Sequence, residues 1–220
     1  AQPARASVPT PTAIDMPAAD TVDRADAFPP IPWLQTRRLR LRPLQAGDRD
    51  LYLRTYCDAG VMRHVGPPLT AEAAGKGVEV VLRQHSATPA RAWYWVLVPR
   101  DSNDLAGIGL MALVFDAGRQ AAELGLLLAP HAQGAGTQEQ GTQGQGHASA
   151  AITALLDWLA GGEGPGRLWT RHLPANPAAR GLMQRLRFLP DGEHAGYLHW
   201  SMDRARWADV GGLVREAVAA

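Results

Sequence analysis

Between residues 121 and 160 the chain reads AAELGLLLAP, then HAQGAGTQEQGTQGQGH, then ASAAITALLDWLA. The first block is apolar, of strand length, and ended by Pro130; the last is apolar over a span that suits a helix. A run of Gly and Gln separates them. A helix N-terminus carries unpaired backbone N–H groups and the positive end of the helix dipole. Glycines in front of it let the chain fold close around a ligand and aim those donors inward. Strand, Gly-rich turn and helix in that order can hold a phosphate. A low-complexity surface loop is the other reading of the same residues.

This unit sits inside a longer alternation. In LQTRRLRLRPL (34–44), Leu39 and Leu41 alternate with arginines, the period of a strand with one face in the core. Residues 45–57 switch to helical spacing, with Leu51, Tyr52 and Tyr56 on one side and Asp48 as N-cap. GPPLTAEAA (66–74) is a loop and N-cap, and 72–86 a second helix weakened by Gly75 and Gly77. AWYWVLVPRD (92–101) and LAGIGLMALVFD (105–116) read as a hairpin. The continuous apolar run of 121–130 predicts a third strand buried on both faces. After the helix of 148–160 come a strand (167–174), a helix (176–188) with Asn176 as N-cap and Pro177 at its first position, and one last strand with its exit (192–207). The order predicts an α/β (α+β) fold, a twisted mixed sheet with helices on both faces. Residues 1–32 read as a loosely held tail, 33–207 as one domain and 208–220 as a C-terminal tail or short helix.

Composition is that of an ordinary globular chain of 220 residues, 46% hydrophobic and 20% charged. A formal net charge of +1 gives no bulk attraction to nucleic acid or membrane. No apolar run is long enough to span a bilayer. The opening residues lack a basic start and an apolar h-region, so no signal peptide is visible and a cytoplasmic location is expected. The single cysteine, Cys57, excludes an internal disulfide and reads as a small, partly buried hydrophobe. No His, Cys or carboxylate spacing points to a metal.

Two familiar phosphate motifs are absent around the glycines. No Lys-Ser/Thr follows them, and there is no G-x-G-x-x-G unit with an acidic residue about 20 positions on. Gln143-Gly144-Gln145-Gly146-His147-Ala148 instead fits Q/R-x-x-G-x-G/A. It resembles the acyl-CoA loop of the GNAT superfamily of N-acetyltransferases. TRRLRLRPLQAGDRDLYL is similar to the opening strand and helix of the branch that includes ribosomal-protein alanine N-acetyltransferases. LAGIGLMAL, AELGLLLAP and ANPAARGLMQRLRFLPDG resemble later segments of that family in the family's order, so the likeness spans 34 to about 203.

The resemblance implies a GNAT-like sheet and transfer of an acetyl group from acetyl-CoA, as co-substrate, to a primary amine. It places the pyrophosphate on the amides of Gly144, Gln145, Gly146, His147 and Ala148, with Gln143 opening the loop. It places the pantetheine arm along Leu126 and Leu128, with Asn176 approaching that arm while it caps its helix. Gln133-Gly134-Ala135-Gly136 is a competing copy of the loop. The later copy is preferred because it abuts the helix that supplies the dipole. Transfer to an amine needs a proton acceptor, a donor to the oxyanion and a route for the thiolate. Glu123 is the candidate base, a backbone amide near Leu126 the oxyanion donor, and Tyr197 the candidate acid. The late helix lacks the acidic Tyr of many relatives, and Ala179 stands where the ribosomal branch has Ser.

The resemblance implies a protein N-terminus or a small-molecule amine as acceptor, and the expected partners are acetyl-CoA and that acceptor, with the chain a monomer or homodimer. A coenzyme-binding sensor without turnover and a plain phosphate or nucleotide binder are the competing readings.

Overall fold

A computed structural model describes residues 31–87, 89–100, 106–132, 146–162 and 164–207. Eight strands form one sheet: β1 (Leu34–Gln35), β2 (Leu39–Pro43), β3 (Ala92–Pro99), β4 (Gly109–Phe115), β5 (Ala121–Leu128), β6 (Arg167–His172), β7 (Leu189–His194) and β8 (Tyr197–Asp203). Their spatial order is β1-β2-β3-β4-β5-β6-β8-β7. Every neighbouring pair is antiparallel except β5 with β6, which is parallel. The helices are α1 (Arg49–Tyr56), α2 (Ala59–Met62), α3 (Ala71–His85), α4 (His147–Ala160) and α5 (Pro177–Arg185). The mixed sheet expected from the pattern is present, and no helix among the described residues is long and apolar enough to cross a membrane.

The two faces of the sheet carry separate apolar clusters. Leu39, Trp93, Met111, Leu124, Leu168 and Met202 meet Ile152, Leu155, Leu156 and Leu159 of α4 and Met183 of α5 on one face. Val96, Val98 and Leu110 meet Leu51 and Tyr52 of α1 and Val78 and Val81 of α3 on the other. The alternation of β-strand side chains assigns the residues of β3 and β4 to the two clusters in turn.

Four expectations need correction. The first strand is two, because Thr36 accepts from the N–H groups of Arg38 and Leu39 and turns the chain between β1 and β2. Asp48 stands at the start of α1 but does not cap it. Its carboxylate takes both Nη atoms of Arg42, at 2.8 and 2.6 Å, and the N–H of Gln45. β5 is not buried on both faces: Gly125 is exposed and Leu126 to Leu128 are half-buried. The last strand is a hairpin, β7 and β8, joined at Ala195 and Gly196, both with positive φ. Trp93, Trp95 and Trp200 are buried, and Trp158 and Trp169 half-buried.

The glycines of α3 do not prevent its helix. Thr70 accepts from the N–H of Ala73 and caps its start. A Cβ at Gly77 would lie 3.2 Å from the Tyr52 hydroxyl, so the small residue lets α1 and α3 approach.

Candidate active site

β5 pairs with β4 along its whole length, from Ala122 opposite Phe115 to Leu128 opposite Gly109. Its parallel pairing with β6 covers only Ala121, Ala122 and Glu123, opposite Arg167, Leu168 and Trp169. β6 meanwhile continues against β8 to His172. The two central strands therefore part after Glu123 and Trp169. Gln120 C=O accepts from Gly166 and Arg167 on the β6 side, whereas Ala121 C=O and Ala129 N–H bond on the β4 side. Backbone groups alternate along a strand, so those of Leu124, Leu126 and Leu128 face the gap.

The side chains of Leu126 and Leu128 pack against the cluster that contains α4. The first turn of that helix joins the same cluster through Ala150 and Ala151. α4 starts at His147, and Gly146 at its N-cap has φ +63°, a conformation glycine adopts without strain. His147 is thus a helical residue, one earlier than the sequence pattern indicates, and Ala148 is the second. Gln143, Gly144 and Gln145 lie outside the described residues. Asn176 caps α5 as expected: its Oδ1 accepts from Ala179 N–H at 3.0 Å.

Glu123 projects to the opposite face of the sheet, the one that carries α1 and α3. Its Oε1 lies 3.2 Å from Nε of Arg171, and the two side chains are 32% and 34% exposed. Burial raises the proton affinity of the carboxyl above its ordinary value, against the opposing pull of Arg171 and His199. Tyr94 of β3 is close enough to feel that charge. Burial, with the charges of Tyr56 and Glu123, holds its phenol protonated well above the usual range. Tyr52 and Tyr56 stack at 4.4 Å between ring centres. Gly125 follows Glu123 on the same face, and a Cβ there would meet nothing within 4 Å. The space in front of the parting strands is open.

Tyr197 lies at the start of β8. Its ring sits 5.1 Å beneath the guanidinium of Arg171, and its hydroxyl donates to Val65 C=O at 3.4 Å. Glu123 and Tyr197 are thus gathered around one arginine that sequence reasoning did not single out. Trp169 and His199, stacked at 5.9 Å, complete the group. The alternation Arg167, Trp169, Arg171 marks one face of β6 in the sequence. What the sequence does not display is the parallel register that sets Glu123 beside Trp169, two residues from Arg171.

The site combines a sheet opened at its centre, a backbone edge facing the opening, the apolar face that carries α4 on one side and a half-buried carboxylate on the other. No curated protein matches the chain in sequence. Solved structures share its fold. An acetyltransferase (GNAT family) from Bacillus anthracis aligns with a TM-score of 0.59 at 15% identity, over 79% of this chain and 99% of that one. The spermidine N-acetyltransferase of Vibrio cholerae, in complex with CoA and spermine, gives 0.59 at 17% identity, over 79% and 99%. The Salmonella typhimurium acetyl transferase that modifies the N-terminal serine of ribosomal protein L7/L12 gives 0.57 at 17% identity, over 76% and 96%. The family model described as Acetyltransferase (GNAT) domain matches residues 38–189. With a family match over most of its length and a fold shared with those structures, the chain belongs to the GNAT acetyltransferase family.

Proposed function

We propose that the chain is an N-acetyltransferase that moves an acetyl group from acetyl-CoA directly to a primary amine, at a protein N-terminus or on a small molecule. The observation that carries this reading is the parting of β5 from β6 after Glu123, with the backbone of Leu126 facing the gap. The residues present suit the coenzyme. Leu126 and Leu128 offer a strand edge to the pantetheine amides, and the start of α4 at Gly146 and His147, followed by Ala148, offers N–H groups to the pyrophosphate. Gln143, Gly144 and Gln145 would complete that cradle, and the side-chain amide of Asn176 would reach the arm from α5.

Acetyl-CoA would supply a thioester whose acetyl carbon takes the amine nitrogen, with C–N formed, C–S broken and the electron pair leaving on sulfur. Glu123 accepts the proton that the amine sheds, directly or through water. The N–H of Leu126 donates to the oxygen on which charge develops. Tyr197, across Arg171 from Glu123, is the candidate proton donor to the thiolate.

A thiol-release assay with acetyl-CoA against amines and N-terminal peptides tests the reading. Wild type should release thiol with at least one acceptor class, and Glu123→Gln should lower kcat by roughly 100-fold or more. A second reading, a coenzyme-binding module without turnover, draws on the engagement of both polar groups: Glu123 with Arg171 and the Tyr197 hydroxyl with Val65. Acetyl-CoA binding with no transfer to any amine, in wild type and Glu123→Gln alike, selects it.

A further inference from the structure

The face of β6 and β8 around Glu123 is organised by arginines. Arg167 Nη2 lies 2.8 Å from Asp191 Oδ2, and its Nε 3.9 Å from Asp203 Oδ1. Arg171 holds Glu123. Asp191 and Asp203 thus share Arg167, and Glu123 alone has Arg171. The remaining groups there are neutral or basic: Trp169, Tyr197, His194 and His199, with the two imidazoles in contact at 5.2 Å.

An amine that reaches Glu123 competes with Arg171 for its carboxylate. The guanidinium is held in place by the rings of Trp169, at 5.9 Å, and Tyr197, at 5.1 Å, so it stays at the mouth of the site once its partner is shared. There it is a fixed cation with planar donors, suited to a carboxylate. A polycation at Glu123 would bring further positive charge against the Arg171 guanidinium, which lies 3.2 Å from that carboxylate. We infer that the acceptor is an amine that bears a carboxylate within a few atoms of its nitrogen, with Arg171 receiving the carboxylate while Glu123 receives the amine. This inference rests on the acetyl-transfer reading for the assignment of the amine to Glu123.

Matched acceptors test it. Phenylalanine is compared with phenylalaninamide, and a peptide amide beginning Ala-Asp with one beginning Ala-Asn; spermidine is the polycation. Each is read twice: kcat/KM by thiol release, and Kd by calorimetry without coenzyme. Wild type should favour a carboxylate-bearing member over its neutral partner by roughly tenfold or more, the scale of one charge-assisted pair. A preference confined to the free amino acid names the α-carboxylate as the source; one confined to Ala-Asp names a side chain. Arg171→Gln should collapse the preference, and Arg171→Lys should keep only part of it, because the charge stays while the planar donors and the ring contacts are lost. A ratio taken within one variant is insensitive to general loss of activity. Equal or better use of the neutral partners or of spermidine overturns the inference, as does a preference that survives in Arg171→Gln. If the binding preference follows the prediction but no acceptor is acetylated, transfer falls and carboxylate recognition stands.

Discussion

Burial tightens the hold of Glu123 on its proton, and Arg171 loosens it. As the proposed base, Glu123 works only when ionised. The acid limb of kcat/KM should therefore lie above the ordinary carboxylate range of about 4.3. Arg171→Gln removes the group that favours the ion, so the limb should move to higher pH; Glu123→Gln should abolish it. A limb at the ordinary value, unmoved by Arg171→Gln, would exclude Glu123 as the titrating group. Gly125 gives a second test at this scale. A side chain there meets open space, so Gly125→Val should leave the unfolding midpoint unchanged or raise it slightly through strand propensity. The same side chain projects into the space beside Glu123, so kcat/KM should fall by roughly tenfold or more, as expected when reacting groups are displaced by about an ångström. Undiminished activity would place the acceptor elsewhere.

Between β2 and α1, the pairing of Arg42 with Asp48 is buried and two-pronged. Hydrogen bonding to Asp48 strengthens the hold of Arg42 on its proton, and burial works against it. Asp48→Ala would leave a buried cation without its partner and should cost about 3–5 kcal/mol in urea unfolding. A cost near that of a surface pair would show that the guanidinium escapes to water. The sequence displayed most elements of this kind through their periods: β2 through alternating leucines, α5 through Asn176 and Pro177. It hid β7, because LPDGEH has no apolar alternation; all six residues are exposed on an outer strand. It misdirected the reading of β5, because an unbroken apolar run signals burial by neighbours, whereas Leu126 to Leu128 line a gap. The role of Asp48 escaped for a similar reason: an acidic residue before a helix looks like a cap whatever its carboxylate binds. For the candidate site, local pattern and resemblance pointed to Glu123, Leu126 and Asn176, whose roles are those proposed above. They did not point to Arg171, since its meeting with Glu123 joins residues 48 positions apart in the chain.

For the molecule as a whole, coenzyme binding should appear as stability. A ligand that binds only the folded form at a hundredfold excess over Kd adds about 2.7 kcal/mol, roughly 5–10 °C in Tm for a domain of this size. CoA and acetyl-CoA should both produce such a shift, and ATP and NAD should not. Stabilisation by the nucleotides but not by CoA would overturn the coenzyme assignment. The three residue pairs that join β5 to β6 carry a mechanical consequence. The apolar cluster on the α4 side runs through both halves of the sheet, from Leu39 to Trp200, whereas the cluster under α1 and α3 reaches only strands before the opening. The protein is bound along one side, like a book along its spine. A tilt of the β6-β8-β7 leaf about that spine would widen the side where Glu123 lies at the cost of the Glu123–Arg171 and Tyr197–Val65 contacts, while leaving the deep packing intact.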